Sequence, residues 1–219
     1  LFFSFGISFA QDNISWQIEE YLEGYIDAYF NARYQKAMDA CEDALIVVQR
    51  KFGPEDVNVA ALLTNLATLN KIQKKYNQAE KFYKKALLIY ENSLGLDNIY
   101  TASVWNAIGE NYQLRRKYNE AETSYKNAQA IVEKNFGTNA LNSALVSGQL
   151  GLLYKDQRRY KEAEEILNSS LQSAISGYGE GSPVLLRLIS SLGKLYEARG
   201  EEVQAEQYYR YVWWIFKNN

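Results

Sequence analysis

The chain has 219 residues, of which 47% are hydrophobic and 23% are charged, and its formal net charge at pH 7 is -2. The balanced charge argues against nucleic acid as a partner, because the phosphate backbone attracts proteins with a surplus of Lys and Arg. The complete absence of histidine excludes Ser-His-Asp and Cys-His catalysis and every metal site with an imidazole ligand. Cys41 is the single cysteine, which excludes an internal disulfide and a Cys-rich zinc site. With only two prolines, the composition favours helix, and we expect no metal, no cofactor and no enzymatic activity in this chain.

The first ten residues differ from the rest of the chain. They read LFFSFGISFA, carry no charge, and are followed by the polar run Gln11-Asp12-Asn13. A bilayer requires about 20 apolar residues, so we expect no membrane span here. The composition is typical of the apolar part of a secretory signal, which predicts an exported protein (periplasmic or extracellular) whose mature chain starts at Gln11. The alternative is an apolar strand or helix start that packs against the body of a cytoplasmic protein.

From Tyr34 onward, the same residue types recur every 42 positions. The recurring residues are Tyr34, Tyr76, Tyr118 and Tyr160; Ala37, Ala79, Ala121, Ala163 and Ala205; and Gly53, Gly95, Gly137 and Gly179. A constant period of this length is the signature of an internal structural repeat.

Each repeat contains the pattern of two helices. In the third repeat, Ile108 and Tyr112 lie on one apolar face at helical spacing, and a second helix opens at Tyr118 after a polar turn. The small residues Gly109 and Ala121 predict that the two helices approach closely, since larger side chains would force them apart. The glycine that closes each repeat is predicted to supply a left-handed helix cap.

The small residues Gly109, Ala121 and Ala128, with Tyr112 and Tyr125 between them, resemble the tetratricopeptide repeat. The 42-residue step, with Tyr-x-x-Ala-Glu opening the second helix and a glycine in the loop after it, is similar to the longer variant found in kinesin light chains. The resemblance implies an all-α fold, namely a right-handed α-solenoid of about five helix pairs within residues 11–219. The expected units lie near residues 16–53, 58–95, 100–137, 142–179 and 184–217.

Stacked helix pairs of this kind curl into a superhelix, and first-helix residues that are not used for packing line its concave surface. The register assigns peptide binding to Thr64, Asn65, Thr68, Lys71, Asn106, Glu110, Gln113, Gln149, Leu152, Lys155, Arg187, Ser190 and Lys194. It also places Gly148, Asp156 and Glu197 along the same surface. The resemblance implies that Asn and Gln amides bond the backbone of an extended peptide, while Lys and Arg meet its acidic groups. The sequence lacks the full Lys and Asn set of the clamp that binds C-terminal carboxylates.

Other charged residues are predicted to be solvated. Glu122 and Lys126 are four residues apart on a second helix and predict a solvent-facing ion pair, as do Glu206 and Arg210. The turns between paired helices form a basic edge that contains Lys74-Lys75, Arg115-Arg116-Lys117 and Arg158-Arg159. We expect these turns to be solvated, and the alternative is that they bind an anionic partner.

The last helix is apolar around most of its circumference, because residues 208–216 read YYRYVWWIF. The terminal repeat of a solenoid normally shows water a polar face. We therefore expect a further repeat, a following domain or a second copy of the chain to cover these aromatic side chains. The first two covers would make this chain the N-terminal part of a longer protein.

These features predict a non-catalytic scaffold that captures a protein or peptide in its concave groove. The alternative is a sensor or regulatory arm of a larger signalling enzyme whose catalytic domain lies beyond residue 219. An exported start followed by such repeats resembles the layout of some bacterial sensor kinases, and similar repeats precede caspase-like peptidase domains. A third alternative is self-association through the aromatic last helix.

Overall fold

The computed structural model describes residues 15–138 and 141–218, so the signal-like residues 1–10 lie outside the described part. The described residues form ten α-helices and one short 3₁₀-helix, and they contain no strand. The first helices of the pairs are α1 (Ser15–Phe30), α3 (Val57–Ile72), α5 (Ile99–Leu114), α7 (Leu141–Asp156) and α9 (Leu186–Arg199). The second helices are α2 (Tyr34–Phe52), α4 (Tyr76–Leu94), α6 (Tyr118–Phe136), α8 (Tyr160–Tyr178) and α10 (Glu202–Lys217). The predicted all-α fold of helix pairs is confirmed.

The chain divides into two compact units, and the boundary falls within α5 after Asn111. We call the part up to Asn111 unit 1 and the part from Tyr112 unit 2. In unit 1, α1 contacts α2, α2 contacts α3, and α3 contacts α4. In unit 2, α6 contacts α7, α7 contacts α8 and α9, and α9 contacts α10. Each unit therefore buries its apolar residues between helices that are consecutive along the chain, and in unit 2 also between the first helices α7 and α9.

The turn inside each helix pair contains one residue with a positive φ angle, again at a step of 42. These residues are Ala32, Lys74, Arg116, Arg158 and Gly200, with φ between 56° and 78°. The residue that follows the turn donates its N–H to a carbonyl in the last turn of the first helix, as from Arg159 to Tyr154 over 2.8 Å. This bond satisfies a helix-end carbonyl and lets the second helix begin at once.

The four glycines that close the repeats adopt a backbone conformation that favours glycine, but it is not the conformation that the sequence predicts. Gly53 and Gly95 both have φ 92°, with ψ near 160°, and Gly137 and Gly179 are similar. The left-handed helical region requires ψ near 47°, so the predicted left-handed cap is wrong at these four positions. They occupy instead the mirror image of the extended region, which is essentially restricted to glycine. Each glycine N–H still caps its helix by donating to a carbonyl four residues earlier.

Small residues allow the helices to approach as the sequence predicts. The alanines that recur every 42 positions are buried in both units. In unit 2, a Cβ atom on Gly151 would lie 2.5 Å from Cγ of Leu167, and one on Gly193 would lie 2.6 Å from Cε1 of Tyr209. At these two positions, a larger residue would require the neighbouring second helix or its side chains to shift.

Candidate functional site

The first helices of unit 2 each leave one stripe of side chains unburied. On α9, the stripe contains Arg187, Ser190 and Lys194, while the residues between them are buried. On α7, it contains Gln149 and Leu152. Helices α7 and α9 are in contact, so the two stripes belong to neighbouring first helices. We call these five residues the first-helix surface of unit 2.

The polar side chains of this surface form no bonds with other described residues. Among the described residues, no hydrogen bond or ion pair involves the side chains of Gln149, Arg187, Ser190 or Lys194, and Arg187 and Lys194 are exposed. The surface thus presents one amide, one hydroxyl and two cations beside the apolar side chain of Leu152. These groups match the donors and acceptors of an extended peptide and the charge of an acidic one.

Gly148 does not belong to this surface, although the register placed it there. It is buried, and a Cβ atom at this position would lie 2.8 Å from Cδ2 of Leu188 on α9. The prediction is wrong because the close packing of α7 against α9 takes up the space that Gly148 would otherwise open.

In unit 1, most of the predicted groove residues bond to one another or to their own helix. Lys71 on α3 forms an ion pair with Glu110 on α5. The hydroxyl of Thr68 lies 3.0 Å from that of Tyr83, and burial raises the pKa of Tyr83 far above its usual range. Thr64 donates to the carbonyl of Ala60 over 2.8 Å. These four candidates link neighbouring helices or stabilise one helix, whereas Asn65 is half-buried without a described side-chain partner.

Asn106 on α5 differs from these residues because its side-chain Oδ1 is buried and accepts no hydrogen bond among the described residues. A buried acceptor without a donor costs about 1–3 kcal/mol, so such an atom favours any donor that can reach it. Asn111 also has an unsatisfied Oδ1, but its Nδ2 donates to the carbonyl of Tyr76 over 3.1 Å, which ties α5 to α4.

Two further candidates form a bracing network at the ends of the first helices of unit 2. The Nε2 of Gln113 donates to Asp156 over 2.7 Å, and the hydroxyl of Tyr125 donates to Gln113 over 2.8 Å. The Nζ of Lys155 lies 2.9 Å from the other carboxylate oxygen of Asp156. Gln113 therefore links α5 to α6 and α7, whereas Lys155 pairs with its own neighbour on α7.

The ion pair of Glu122 and Lys126 is present over 2.8 Å, but it is not simply solvent-facing. The side chain of Glu122 is only 18% exposed, and it also accepts from the hydroxyl of Tyr154 over 3.1 Å and from Arg159 over 2.7 Å. Burial alone would raise the pKa of Glu122, but the hydrogen bonds from Lys126 and Arg159 outweigh it and lower the pKa. Through these bonds, Glu122 links α6 to α7 and to the turn that follows α7.

The same link between neighbouring repeats recurs 42 residues later, at Glu164. Glu164 accepts from the hydroxyl of Tyr196 over 2.6 Å and from Arg199 over 2.5 Å, and these bonds lower its pKa. Sequence reasoning missed this contact, although both the glutamates and the tyrosines repeat at the step of 42. The prediction for Glu206 and Arg210 is confirmed, since that pair is exposed.

The aromatic face of α10 is open to solvent. Trp213 is 61% exposed and Phe216 is 77% exposed. The residues at the position of Phe216 in the earlier repeats are all buried, namely Val48, Tyr90, Val132 and Ala174. In unit 1, Tyr90 is covered by the following first helix, where Tyr100 stacks on it with ring centroids 5.6 Å apart.

Neither a metal site nor a membrane span is found in the described part of the chain. No three side chains of the His, Cys, Asp and Glu types come together there. No helix within residues 15–138 and 141–218 is long and apolar enough to cross a bilayer. The thiol of Cys41 is buried against the carbonyl of Leu62 at 3.4 Å, and burial raises its pKa to about 12.

The family model for the tetratricopeptide repeat matches residues 26–92, 100–176 and 143–210. The chain belongs to the tetratricopeptide repeat family. Solved structures of a putative kinesin light chain are among the similar folds, so the predicted likeness to kinesin light chain repeats is confirmed at the level of the fold. No curated protein matches the chain in sequence.

Several solved tetratricopeptide-like structures share the fold at low sequence identity. BtubC (BKLC) from P. vanneervenii is 19% identical with a TM-score of 0.72, over 95% of this chain and 92% of that one. A putative kinesin light chain of Podosopora anserina with nearly identical repeats is 17% identical with a TM-score of 0.72, over 94% and 95% of the two chains. The Rap conjugation gene regulator of plasmid pLS20, in complex with the Phr* peptide, is 14% identical with a TM-score of 0.73, over 95% of this chain and 57% of that one.

Proposed function

We propose that this tetratricopeptide repeat protein is a non-catalytic scaffold that binds an extended protein segment on its first-helix surfaces. The observation that carries the proposal is the set of uncommitted polar groups on α7 and α9, described above for Gln149, Arg187, Ser190 and Lys194. An extended peptide offers backbone N–H and C=O groups to the amide and hydroxyl, and acidic side chains to the two cations.

The surface can be tested with peptides selected against the whole chain from a random library. We expect the selected peptides to be acidic, and we expect the double variant Arg187→Glu, Lys194→Glu to lower their affinity by about tenfold or more, since charge reversal replaces attraction by repulsion. The matched control is Lys81→Glu, Lys85→Glu, which reverses two exposed charges on α4. Circular dichroism verifies that both variants fold. Equal affinity of the peptides for the wild type and the α9 variant would refute the proposal.

A second interaction is proposed for the aromatic face of α10. Tyr90 is the repeat equivalent of Phe216, and it is covered by Tyr100 of the first helix that follows it. We therefore infer that Phe216 and Trp213 are covered in the same way, by a further first helix in a longer chain. This inference makes the chain part of a longer protein, which is compatible both with a longer scaffold and with an arm of a larger signalling enzyme. Self-association through the same face is the competing cover.

Export is also a proposal, and it is supported by the composition of residues 1–10. Intact mass and N-terminal sequencing of the protein from its native host test both proposals. We expect a mature start at Gln11 and a mass well above the 25.2 kDa of this chain. A product that keeps Leu1 would refute export. A monomeric native protein that ends at Asn219 would refute the proposal that a further helix covers α10. A protein of that length that forms dimers as its concentration rises would assign the aromatic face to self-association.

A further inference from the structure

Two turns of unit 2 border an open cleft with a volume of about 1110 Å³. It lies between the turn that joins α5 to α6 and the turn that joins α7 to α8, away from the stripe of α9 residues described above. Its lining includes Arg116, Asn119, Asp156, Gln157, Arg158 and Arg159. We call it the turn cleft.

Two of the charges in the turn cleft are neutralised within the chain. Arg159 is held by Glu122 at 2.7 Å and by Glu162 at 2.5 Å. Asp156 is paired with Lys155 at 2.9 Å. These groups brace the repeats and leave little charge for a ligand.

Arg116 and Arg158 are different, because both are exposed and neither forms an ion pair among the described residues. They occupy equivalent turns, 42 residues apart, and line the same cleft. The lining therefore keeps an uncompensated surplus of two guanidinium groups in a protein whose overall charge is slightly negative. Guanidinium groups bind carboxylates through paired N–H donors, which makes acidic side chains the matching ligand.

The turns place both arginines in the same backbone conformation. Arg116 has φ 58° and Arg158 has φ 62°, a conformation that costs a residue with a Cβ atom about 1–2 kcal/mol. Glycine adopts it without that cost and does so at Gly200, the equivalent turn of the last repeat. Ala32 and Lys74 adopt the same conformation in the turns of unit 1, so this backbone geometry belongs to the turn and is not specific to arginine.

We propose that the turn cleft is a second binding site and that it takes an acidic peptide segment. Arg116 and Arg158 bind two separate carboxylates of the segment, and the amides of Asn119 and Gln157 bond its backbone. The polar lining and the open shape fit a peptide better than a small molecule, whose sites are mostly apolar and enclosed. The site acts independently of the first-helix surface, because it shares no residue with it.

Fluorescence anisotropy of labelled hexaglutamate, with the intact chain at low ionic strength, tests the proposal. We expect binding that weakens as salt is added, and a loss of about tenfold in affinity in the double variant Arg116→Gln, Arg158→Gln. Glutamine keeps part of the aliphatic stem, a polar end and the backbone strain while it removes the charge, and circular dichroism verifies the fold. The matched control is Lys81→Gln, Lys85→Gln, which removes two exposed cations from α4 and should leave hexaglutamate affinity within about twofold.

Three results would overturn the proposal. Absence of hexaglutamate binding by the wild type would do so, and so would equal losses in the two double variants, which would indicate unspecific attraction. Displacement of hexaglutamate by an equal concentration of pyrophosphate would assign the cleft to phosphate instead. Failure of the selected peptides to depend on Arg187 and Lys194 bears only on the first-helix surface, so the two proposals fail separately.

Discussion

Substitution of Gly151 by alanine tests the close packing of helices in unit 2. The new Cβ would lie 2.5 Å and 2.7 Å from two atoms of Leu167 and 3.2 Å from Cγ2 of Ile166. Leu167 is completely buried, so it cannot move aside into solvent. Overpacking of this kind costs about 1–3 kcal/mol, whereas alanine in place of glycine within a helix returns about 1 kcal/mol. Because two contacts fall below 3.0 Å on a side chain that cannot move, the overpacking cost lies in the upper part of this range, about 2–3 kcal/mol, and we expect a net destabilisation of about 1–2 kcal/mol.

Two other glycines of unit 2 provide a graded comparison with the same chemical change. Alanine at Gly193 would meet the ring of Tyr209 at 2.6 Å, but that ring is partly exposed and can shift, so we expect a smaller loss. Alanine at Gly177 on α8 would meet no atom within 4 Å and should stabilise the chain by about 0.5–1 kcal/mol.

Urea unfolding followed by circular dichroism at 222 nm measures the order of stability. With a slope of about 2–3 kcal/mol/M, the expected loss for Gly151→Ala shifts the midpoint down by about 0.3–1 M. The expected order, from least to most stable, is Gly151→Ala, Gly193→Ala, wild type, Gly177→Ala. A Gly151→Ala variant as stable as the wild type would refute the packing argument.

Three further predictions address the turns, the fastening between repeats and the cysteine. Lys74→Gly should stabilise the chain by about 0.5 kcal/mol in urea unfolding, because Lys74 has φ 61°, whereas Lys75→Gly, at φ -82°, should not. Glu164→Gln should lower the melting temperature near neutral pH by about 2–4 °C. The pKa of Glu164 in the folded chain lies below the ordinary 4.5, so its stabilising contribution is complete above pH 4.5 and is lost as the pH falls through the folded pKa. The melting temperatures of the wild type and Glu164→Gln should therefore converge in acid. A difference that stays constant with pH would contradict this. Cys41, with a pKa of about 12, should react with a thiol reagent at about pH 8 only after unfolding, and rapid labelling of the folded chain would show that it is accessible.

The candidate site could be predicted only in part. The register identified the helices and the faces that carry it, since Arg187, Ser190 and Lys194 do lie on the unburied stripe of α9. It could not separate free side chains from committed ones. Lys71 and Glu110 are 39 residues apart, and Gln113 and Asp156 are 43 apart, so their bonds depend on how neighbouring repeats pack.

The sequence by itself determined the repeat, the fold class and the starts of the second helices at Tyr34, Tyr76, Tyr118 and Tyr160. Helical periodicity, turn residues and glycine positions act over a few neighbouring residues, so they can be recognised without knowledge of the packing. The tertiary structure alone decided the burial of Gly148, the fastening of each repeat by Glu122 and Glu164, and the unpaired arginines of the turn cleft. These features arise between residues about one repeat apart, and they depend on the distance between helices that the local sequence does not specify.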